Sequence, residues 1–153
     1  MQLGMIGLGR MGAGITRRLM RDGHQCVVYD LNQDAVAALA KDGAQAAASI
    51  ADLAAKLSLP RVIWVMLPAG EITERAVAEA GAALSAGDIV IDGGNTFYKD
   101  DVRRARALAV KGVRYIDIGT SGGVWGLERG FCMMVGGEKD AVAHIDPILK
   151  SLA

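Results

Sequence analysis

Short apolar runs alternate with amphipathic helical patterns along the whole chain, and this alternation restricts the fold more than any other feature. The six runs lie at residues 3–7, 26–30, 61–67, 88–92, 114–119 and 131–136. Strands that are apolar throughout are buried on both faces, which is typical of a parallel sheet covered by helices on either side. We therefore predict an α/β domain with a doubly wound, mainly parallel sheet.

The helical patterns carry signals of their ends and of one break. Asn32 and Ser49 stand where helix N-caps are expected. The last pattern, residues 138–153, contains Pro147, which lacks the N–H group that a helix interior needs. We expect that helix to be interrupted or kinked near the proline.

Composition and charge exclude several classes of partner. The 153 residues fit one domain. Because 17 basic and 17 acidic side chains cancel, the chain lacks the net positive charge that is typical of proteins that bind nucleic acid or an anionic membrane. No apolar run reaches the roughly 18 residues of a membrane-spanning helix, and no signal-peptide pattern is present. No side chains show the spacing of a metal site. We expect a cytoplasmic protein that binds no metal, membrane or nucleic acid.

Two cysteines, Cys26 and Cys132, lie inside apolar runs. Neither is accompanied by a histidine that would indicate a catalytic thiol. We expect both to be buried free thiols in a reducing compartment.

A glycine-rich turn, Gly7-Leu8-Gly9-Arg10-Met11-Gly12, follows the first predicted strand and precedes a helical pattern. In that context Gly7 permits the sharp bend, Gly9 lets a pyrophosphate approach the backbone, and Gly12 lets the helix pack closely on the strand. The helix start offers unpaired N–H groups and a positive dipole to phosphates. A purely structural turn is the alternative for the motif taken alone.

Asp30 ends the second predicted strand, eighteen residues after Gly12. An acidic side chain at this point can accept hydrogen bonds from the ribose hydroxyls of a dinucleotide. The same carboxylate would repel a 2′-phosphate, and no arginine follows it in Asp30-Leu31-Asn32. The turn and Asp30 together predict a Rossmann dinucleotide-binding fold that favours NAD over NADP.

Small and polar residues follow three further predicted strands. They are the stretches Pro68-Ala69-Gly70, Gly93-Gly94-Asn95-Thr96 and Thr120-Ser121-Gly122-Gly123. Each alone resembles an ordinary turn, but the carboxyl ends of parallel strands meet at one edge of the sheet, where ligands bind. The pattern predicts a second ligand, rich in hydroxyl or carboxylate oxygens, beside the nicotinamide. Five glycines also predict a loop over residues 119–130, because glycine weakens helices and strands.

These motifs carry a family resemblance. GLGRMG, DGGNT and GTSGG, in this order and spacing, resemble the β-hydroxyacid dehydrogenases. The longer forms DGGNTFYKDD and GTSGGVWGLERGFCMMVGG are similar to the decarboxylating 6-phosphogluconate dehydrogenases, in their shorter NAD-type branch. The similarity covers residues 1–153 and corresponds to the N-terminal coenzyme-binding domain of that family.

The resemblance implies roles for individual positions. It assigns to the cofactor Gly7, Gly9, Arg10, Met11, Gly12, Asp30, Leu67, Pro68, Ala69 and Asn95. It assigns to the sugar-acid substrate Asn95, Ser121, Gly122 and Gly123. Two departures stand out: Asp30-Leu31 replaces the asparagine-arginine pair of the NADP enzymes, and Val124-Trp125 replaces their acidic residues. We expect Trp125 to form a hydrophobic lid over its loop.

The reaction that the resemblance implies is oxidation of 6-phosphogluconate at C3, with hydride transfer to NAD, and decarboxylation to ribulose 5-phosphate in the pentose phosphate pathway. The base and acid of this family are a lysine and a glutamate, which we expect beyond residue 153. A helical domain that binds phosphate and forms the homo-oligomer is expected there too. We therefore expect no catalytic residue in residues 1–153 and no activity from them alone.

Three alternatives stay open. A 3-hydroxyisobutyrate or semialdehyde reductase shares the fold and the glycine fingerprint but should lack the DGGN and GVWGLERG details. A stand-alone, non-catalytic NAD-binding module would also lack the lysine and glutamate. A scaffold with decayed sites is disfavoured because every expected contact residue is intact.

Overall fold

The computed structural model describes every residue from Met1 to Ala153. Its strands are β1 (Gln2–Ile6), β2 (Gln25–Tyr29), β3 (Gln45–Ala46), β4 (Val62–Val65), β5 (Ile89–Asp92), β6 (Arg114–Ser121) and β7 (Cys132–Gly137). Its helices are α1 (Arg10–Arg21), α2 (Gln33–Lys41), α3 (Ile50–Ala55), α4 (Glu71–Ala83), α5 (Tyr98–Ala109), α6 (Gly126–Arg129) and α7 (Lys139–Leu152), with a 3₁₀ turn at Gly123–Trp125.

All seven strands belong to one sheet, in the order β3-β2-β1-β4-β5-β6-β7. Every neighbouring pair from β3 to β6 is parallel, and β7 alone runs antiparallel, with Ser121 opposite Cys132. The predicted doubly wound, mainly parallel sheet is confirmed. The strand order reverses between β1 and β4, which is where such sheets bind their ligands.

Two hydrophobic cores lie on the two faces of the sheet. Alternate side chains of one strand enter opposite cores: Met5 belongs to the first, and its neighbour Ile6 to the second. The first core packs against α1, α2 and α7, and the second against α3, α4 and α5. Burial on both faces is the physical reason that these strands are apolar throughout.

The predicted helix caps are confirmed. The Asn32 side chain accepts hydrogen bonds from the backbone N–H groups of Asp34 and Ala35 at the start of α2. The Ser49 side chain accepts one from the N–H group of Asp52 at the start of α3. None of the helices is both long and apolar enough to cross a membrane.

Helix α7 continues through Pro147, so the predicted interruption is wrong. Pro147 removes one backbone hydrogen bond. The apolar face of the same helix, with Ile145, Ile148 and Leu152 fully buried, packs into the first core and maintains the helix across the proline.

The predicted loop at residues 119–130 is largely regular structure. Strand β6 extends to Ser121, and the 3₁₀ turn and α6 follow. The glycines are placed where packing requires them: a Cβ at Gly126 would overlap the ring of Phe131. The short strand β3 carried no apolar signal, since both of its residues are exposed, and was not predicted.

The two cysteines differ in environment. Cys26 is buried as predicted, but Cys132 is exposed, so that prediction was wrong. Cys132 begins β7, whose residues are mostly exposed at the edge of the sheet. An apolar sequence does not reveal burial when the strand has a neighbour on one side only.

Candidate functional site

Three adjoining clefts open along the carboxyl ends of the strands. The one that we call the central cleft has a volume of about 320 Å³. It is lined by Gly9, Arg10, Met11, Gly12, Met66, Leu67, Pro68, Ala69, Gly93, Gly94, Asn95 and Thr120. The cleft thus brings together all the residues predicted for the cofactor except Gly7 and Asp30.

Gly7 and Asp30 line the second cleft, which we call the Asp30 cleft and which has a volume of about 270 Å³. Its other lining residues are Ile6, Tyr29, Leu31, Ile50, Leu67, Ile72, Arg75, Ala76 and Glu79. Leu67 lines both clefts, so they adjoin. The Asp30 cleft joins a carboxylate to apolar side chains from α3 and α4 that the sequence analysis did not single out.

The third cleft, of about 370 Å³, lies on the other side of Gly9 and Arg10, between α1 and the segment that follows β6. Gly123 lines this cleft, whereas Ser121 and Gly122 line none of the three. The four residues predicted for the substrate therefore do not share one cleft. Thr120 is the residue of β6 that joins Asn95 in the central cleft.

The glycine turn has room for a ligand at one position only. At Gly7, which has a φ of +94°, and at Gly12, an added Cβ would overlap backbone oxygens of Met66 and of Gly7. At Gly9 an added Cβ would meet no atom within 4 Å. Gly7 and Gly12 are therefore required by the turn itself, and Gly9 leaves open space at the mouth of the central cleft.

Helix α1 presents an uncapped N-terminus to this space. Gly9 is its N-cap and offers no side chain, and the first turn holds no acidic residue. The N–H groups of the first turn have no intrahelical acceptors, and the helix dipole adds partial positive charge there. The open face of Gly9 and this helix start together suit the pyrophosphate of a dinucleotide.

Asp30 has two backbone partners. Its Oδ2 accepts a 2.7 Å hydrogen bond from the N–H group of Leu8, and its Oδ1 accepts one of 2.8 Å from that of Asn32. Each carboxylate oxygen can accept more than one hydrogen bond. Asp30 can therefore hold the glycine turn against β2 and still accept a ribose hydroxyl.

A buried polar cluster lies directly behind Asn95. We call it the Asp92 network, and its members are Asp92, Thr96, Asp101, Arg104 and Tyr115. Asp92 is fully buried, and its Oδ2 accepts hydrogen bonds from Thr96 Oγ1 at 2.6 Å and Arg104 Nη1 at 3.2 Å. Its Oδ1 accepts one from the N–H group of Gly94 at 2.9 Å. The residues on both sides of Asn95 are thereby fixed to one carboxylate.

Arg104 connects this network to helix α4. Its Nε donates a 2.7 Å hydrogen bond to Glu74, which also forms an ion pair with Arg103 at 2.7 Å. The hydrogen bond from Arg103 is the largest cause that lowers the pKa of the Glu74 carboxyl to about 2, and Arg104 adds to it. Sequence analysis missed this network, and the only local signal was Asp101 and Arg104 three residues apart on α5.

Helix α1 also fixes the segment that follows β6. Arg18 donates to the carbonyl oxygen of Leu127 at 3.2 Å, and Arg21 forms a 2.9 Å ion pair with Glu128. Trp125 is 63% exposed, and the Arg129 guanidinium lies 5.1 Å from the centre of its ring. Trp125 lines none of the three clefts, and its role as a lid over its loop stays a prediction.

Comparison with protein families gives one match over nearly the whole chain. The model of the NAD-binding domain of 6-phosphogluconate dehydrogenase matches residues 2–153. The chain is 43% identical to the NAD(+)-dependent, decarboxylating 6-phosphogluconate dehydrogenase of Haloferax volcanii, over 100% of this chain and 50% of that protein. The chain spans about half the length of this relative, and about a third of the length of longer relatives such as the decarboxylating 6-phosphogluconate dehydrogenase of Haemophilus ducreyi.

Solved structures show the same fold. Plasmodium falciparum 6-phosphogluconate dehydrogenase, described with its cofactor NADP+ and its substrate 6-phosphogluconate, is 28% identical with a TM-score of 0.90 over 100% of this chain and 34% of that one. The 3-hydroxyisobutyrate dehydrogenase of Mycobacterium tuberculosis is 27% identical with a TM-score of 0.91 over 99% of this chain and 52% of that one.

Proposed function

Because this chain belongs to the family of the NAD-binding domain of 6-phosphogluconate dehydrogenase, we propose that it binds NAD for the oxidative decarboxylation of 6-phosphogluconate. The observation that carries the proposal is the open face of Gly9 at the uncapped start of α1. The motif residues of four strand ends meet around that point in the central cleft.

The preference for NAD over NADP rests on the Asp30 cleft. The carboxylate of Asp30 can accept hydrogen bonds from ribose hydroxyl groups and repels a phosphate, and Leu31 beside it is exposed and uncharged. Arg75 lines the same cleft, but it forms an ion pair with Glu71 at 3.5 Å. The preference for NAD rests on repulsion of a 2′-phosphate by the Asp30 carboxylate, because the exposed ion pair of Arg75 is weak and does not occupy the arginine.

The residues of the chain have roles in binding and orientation. Gly7, Gly9 and Gly12 shape the pyrophosphate site, with Arg10 and Met11 beside it. Leu67, Pro68, Ala69 and Asn95 line the cofactor's path. Asn95, Ser121, Gly122 and Gly123 are our candidates for the sugar acid, although Ser121 and Gly122 line none of the three clefts. Bound NAD supplies the acceptor for the hydride that leaves C3. The chain would hold the nicotinamide and the substrate in the relative orientation that hydride transfer needs.

The proton-transfer groups belong to a second domain in this proposal. A lysine base and a glutamate acid would lie in a helical domain after residue 153, which would also build a homo-oligomer. Residues 1–153 alone would then bind NAD and catalyse nothing, and the complete enzyme would act in the pentose phosphate pathway.

The first experiment is calorimetric titration of the protein with NAD and with NADP. We expect NAD to bind at least tenfold more tightly than NADP, a difference in binding free energy of about 1.4 kcal/mol or more. Equal affinities would contradict the role of Asp30, and binding of neither would contradict the proposed cofactor site. The protein from the complete open reading frame should oxidise 6-phosphogluconate with release of CO2, and residues 1–153 should not.

The structural match to 3-hydroxyisobutyrate dehydrogenase supports a second candidate, a reductase of small β-hydroxyacids. The same assay decides between the two. Oxidation of 3-hydroxyisobutyrate without release of CO2 from 6-phosphogluconate would favour the second candidate. The 43% identity to a decarboxylating relative makes the first our proposal.

A further inference from the structure

The segment that carries Asn95 is held by buried charges that the proposed binding site does not use. Asp92 accepts hydrogen bonds from Gly94 and Thr96, one on each side of Asn95. Asp92 therefore connects the segment around Asn95 to the other polar groups of the network. The contacts of the Asp92 network show how many hydrogen-bond donors its oxygen atoms share.

Tyr115 lies between two carboxyl groups. Its hydroxyl oxygen is 2.8 Å from Oδ1 of Asp101 and 3.1 Å from Oδ2 of Asp92. One phenol carries one hydrogen atom, so it can donate to only one of these oxygens at full strength. The other contact is more favourable when a carboxyl group supplies a second hydrogen atom, because two oxygens with no hydrogen atom between them repel each other at this distance.

Of the two carboxyl groups beside Tyr115, that of Asp101 is the one that can carry the extra hydrogen atom. Asp92 is paired with the Arg104 guanidinium, which stabilises its ionised form. Asp101 has no such partner, and its Oδ2 is buried without any hydrogen bond. An unpaired oxygen in a buried site costs far less when the carboxyl group is neutral than when it is ionised.

The charged and titratable groups around Asp101 also favour its protonated form. They are Asp92 from β5, Tyr115 and Asp117 from β6, and Asp100 and Arg104 from α5. Burial is the largest cause that raises the pKa of Asp101, and Asp92 and Asp100 raise it further against the hydrogen bond from Tyr115 and the charge of Arg104.

We propose that Asp101 and Tyr115 are positioning residues for Asn95, with the protonated Asp101 carboxyl donating to the Tyr115 hydroxyl and that hydroxyl donating to Asp92. Asp92 in turn holds Gly94 and Thr96. When Asp101 loses its proton, the hydroxyl of Tyr115 turns to Asp101 and Asp92 loses one donor. The segment around Asn95 then loosens, and ligand affinity falls as the pH rises.

Two variants and two matched controls test this inference. Asp101→Asn keeps a donor toward Tyr115 at every pH, and Tyr115→Phe removes the bridge. Asp100→Asn removes a carboxylate of the same helix that makes no hydrogen bond to the network; because its charge raises the pKa of Asp101, it should move that titration to lower pH and leave the coupling to Asn95 intact. Tyr98→Phe removes an exposed hydroxyl. Thermal unfolding first establishes that each variant is folded.

Carboxyl NMR of aspartate-labelled protein gives the readout that needs no ligand. We expect Asp101 to titrate above the ordinary aspartate value of about 4, and the side-chain amide signal of Asn95 to shift over the same pH range. The Asn95 shift should vanish in Asp101→Asn and persist in Asp100→Asn. Titration of Asp101 in the ordinary range, or an Asn95 signal that does not follow it, would overturn the inference.

The second readout is NAD affinity against pH, and here the inference rests on the proposed function. Affinity should fall with rising pH in the unaltered protein and in both controls, and stay level in Asp101→Asn. Tyr115→Phe should weaken binding about threefold to tenfold, the value of one hydrogen bond. A falling profile in Asp101→Asn would overturn the inference. Absence of NAD binding at every pH would instead contradict the proposed function, and the NMR titration would then decide the inference alone.

Discussion

The backbone N–H group of Leu8 donates a 2.7 Å hydrogen bond to Oδ2 of Asp30. This bond ties the middle of the glycine turn to the end of β2, 22 residues away in the chain. One carboxylate therefore shapes the predicted pyrophosphate site and stands at the predicted ribose site. Asp30 therefore connects the two halves of the proposed dinucleotide site through one hydrogen bond.

Replacement of Asp30 should alter cofactor preference more than fold. Asp30→Asn keeps one acceptor for the backbone, places its NH2 group against the other backbone N–H donor and removes the charge that repels a 2′-phosphate. We expect NAD to bind about tenfold more weakly and the ratio of NADP to NAD dissociation constants to shrink by at least as much. Calorimetry measures both constants. Asp34→Asn, an exposed charge four residues on, is the control, and an unchanged ratio in Asp30→Asn would contradict the assigned role.

The glycines of the turn should separate binding from folding. Gly9→Ala introduces a Cβ into open space, so we expect unchanged thermal stability and loss of NAD binding. Gly12→Ala introduces a Cβ that overlaps Gly7, so we expect a destabilisation of about 1–3 kcal/mol.

Gly14→Ala is the control for both, because its Cβ makes an ordinary 3.6 Å contact with Phe131 and it lies inside α1. It should bind NAD normally and be more stable by up to about 1 kcal/mol, because alanine favours helix. Full NAD affinity in Gly9→Ala would show that the pyrophosphate lies elsewhere.

The two thiols should react at different rates. Burial raises the pKa of the Cys26 thiol to about 12, whereas Cys132 is exposed at the sheet edge. Because the thiolate is the reactive form, a maleimide should label Cys132 alone in the folded protein and both thiols after denaturation. Cys132→Ser should abolish the native labelling. Two rapidly labelled thiols in the folded protein would show that the first core opens near Cys26.

Glu74 should contribute to stability at neutral pH and lose that contribution in acid. Its pKa is lowered to about 2 by Arg103 and Arg104, so the contribution is complete above the ordinary carboxyl range and is lost as the pH falls through about 2. We expect Glu74→Gln to lower the free energy of unfolding at neutral pH by about 1 kcal/mol, a small value because the side chain is 40% exposed.

Denaturant unfolding across the acid range measures this effect. The difference between Glu74→Gln and the unaltered protein should shrink between about pH 4 and about pH 2. Glu71→Gln, an almost fully exposed residue of the same helix, should show no such change. A difference that stays constant with pH would mean that Glu74 acts by packing rather than by charge.

The sequence by itself determined the layer architecture and the position of the glycine turn. Apolar runs, helix caps and glycines act on residues that are near neighbours in the chain, so their effects can be read locally. The same holds for Asp30, whose place at a strand end follows from the strand before it. These features sufficed to predict the doubly wound sheet without β3, and most of the residues that line the central cleft, but not the strand order or the point where it reverses.

Only the tertiary structure decided which polar residues meet. Asp92, Arg104 and Tyr115 come from three different elements and touch because α5 packs on β6, the neighbour of β5 in the sheet. The pairing of β5 with β6 brings Thr120 and Asn95 to the same cleft and leaves Ser121 outside it. The exposure of Cys132 likewise follows from the edge position of β7. From the sequence, a charged residue on a helix is expected to be exposed to solvent. Whether a second element covers it depends on how the whole core packs.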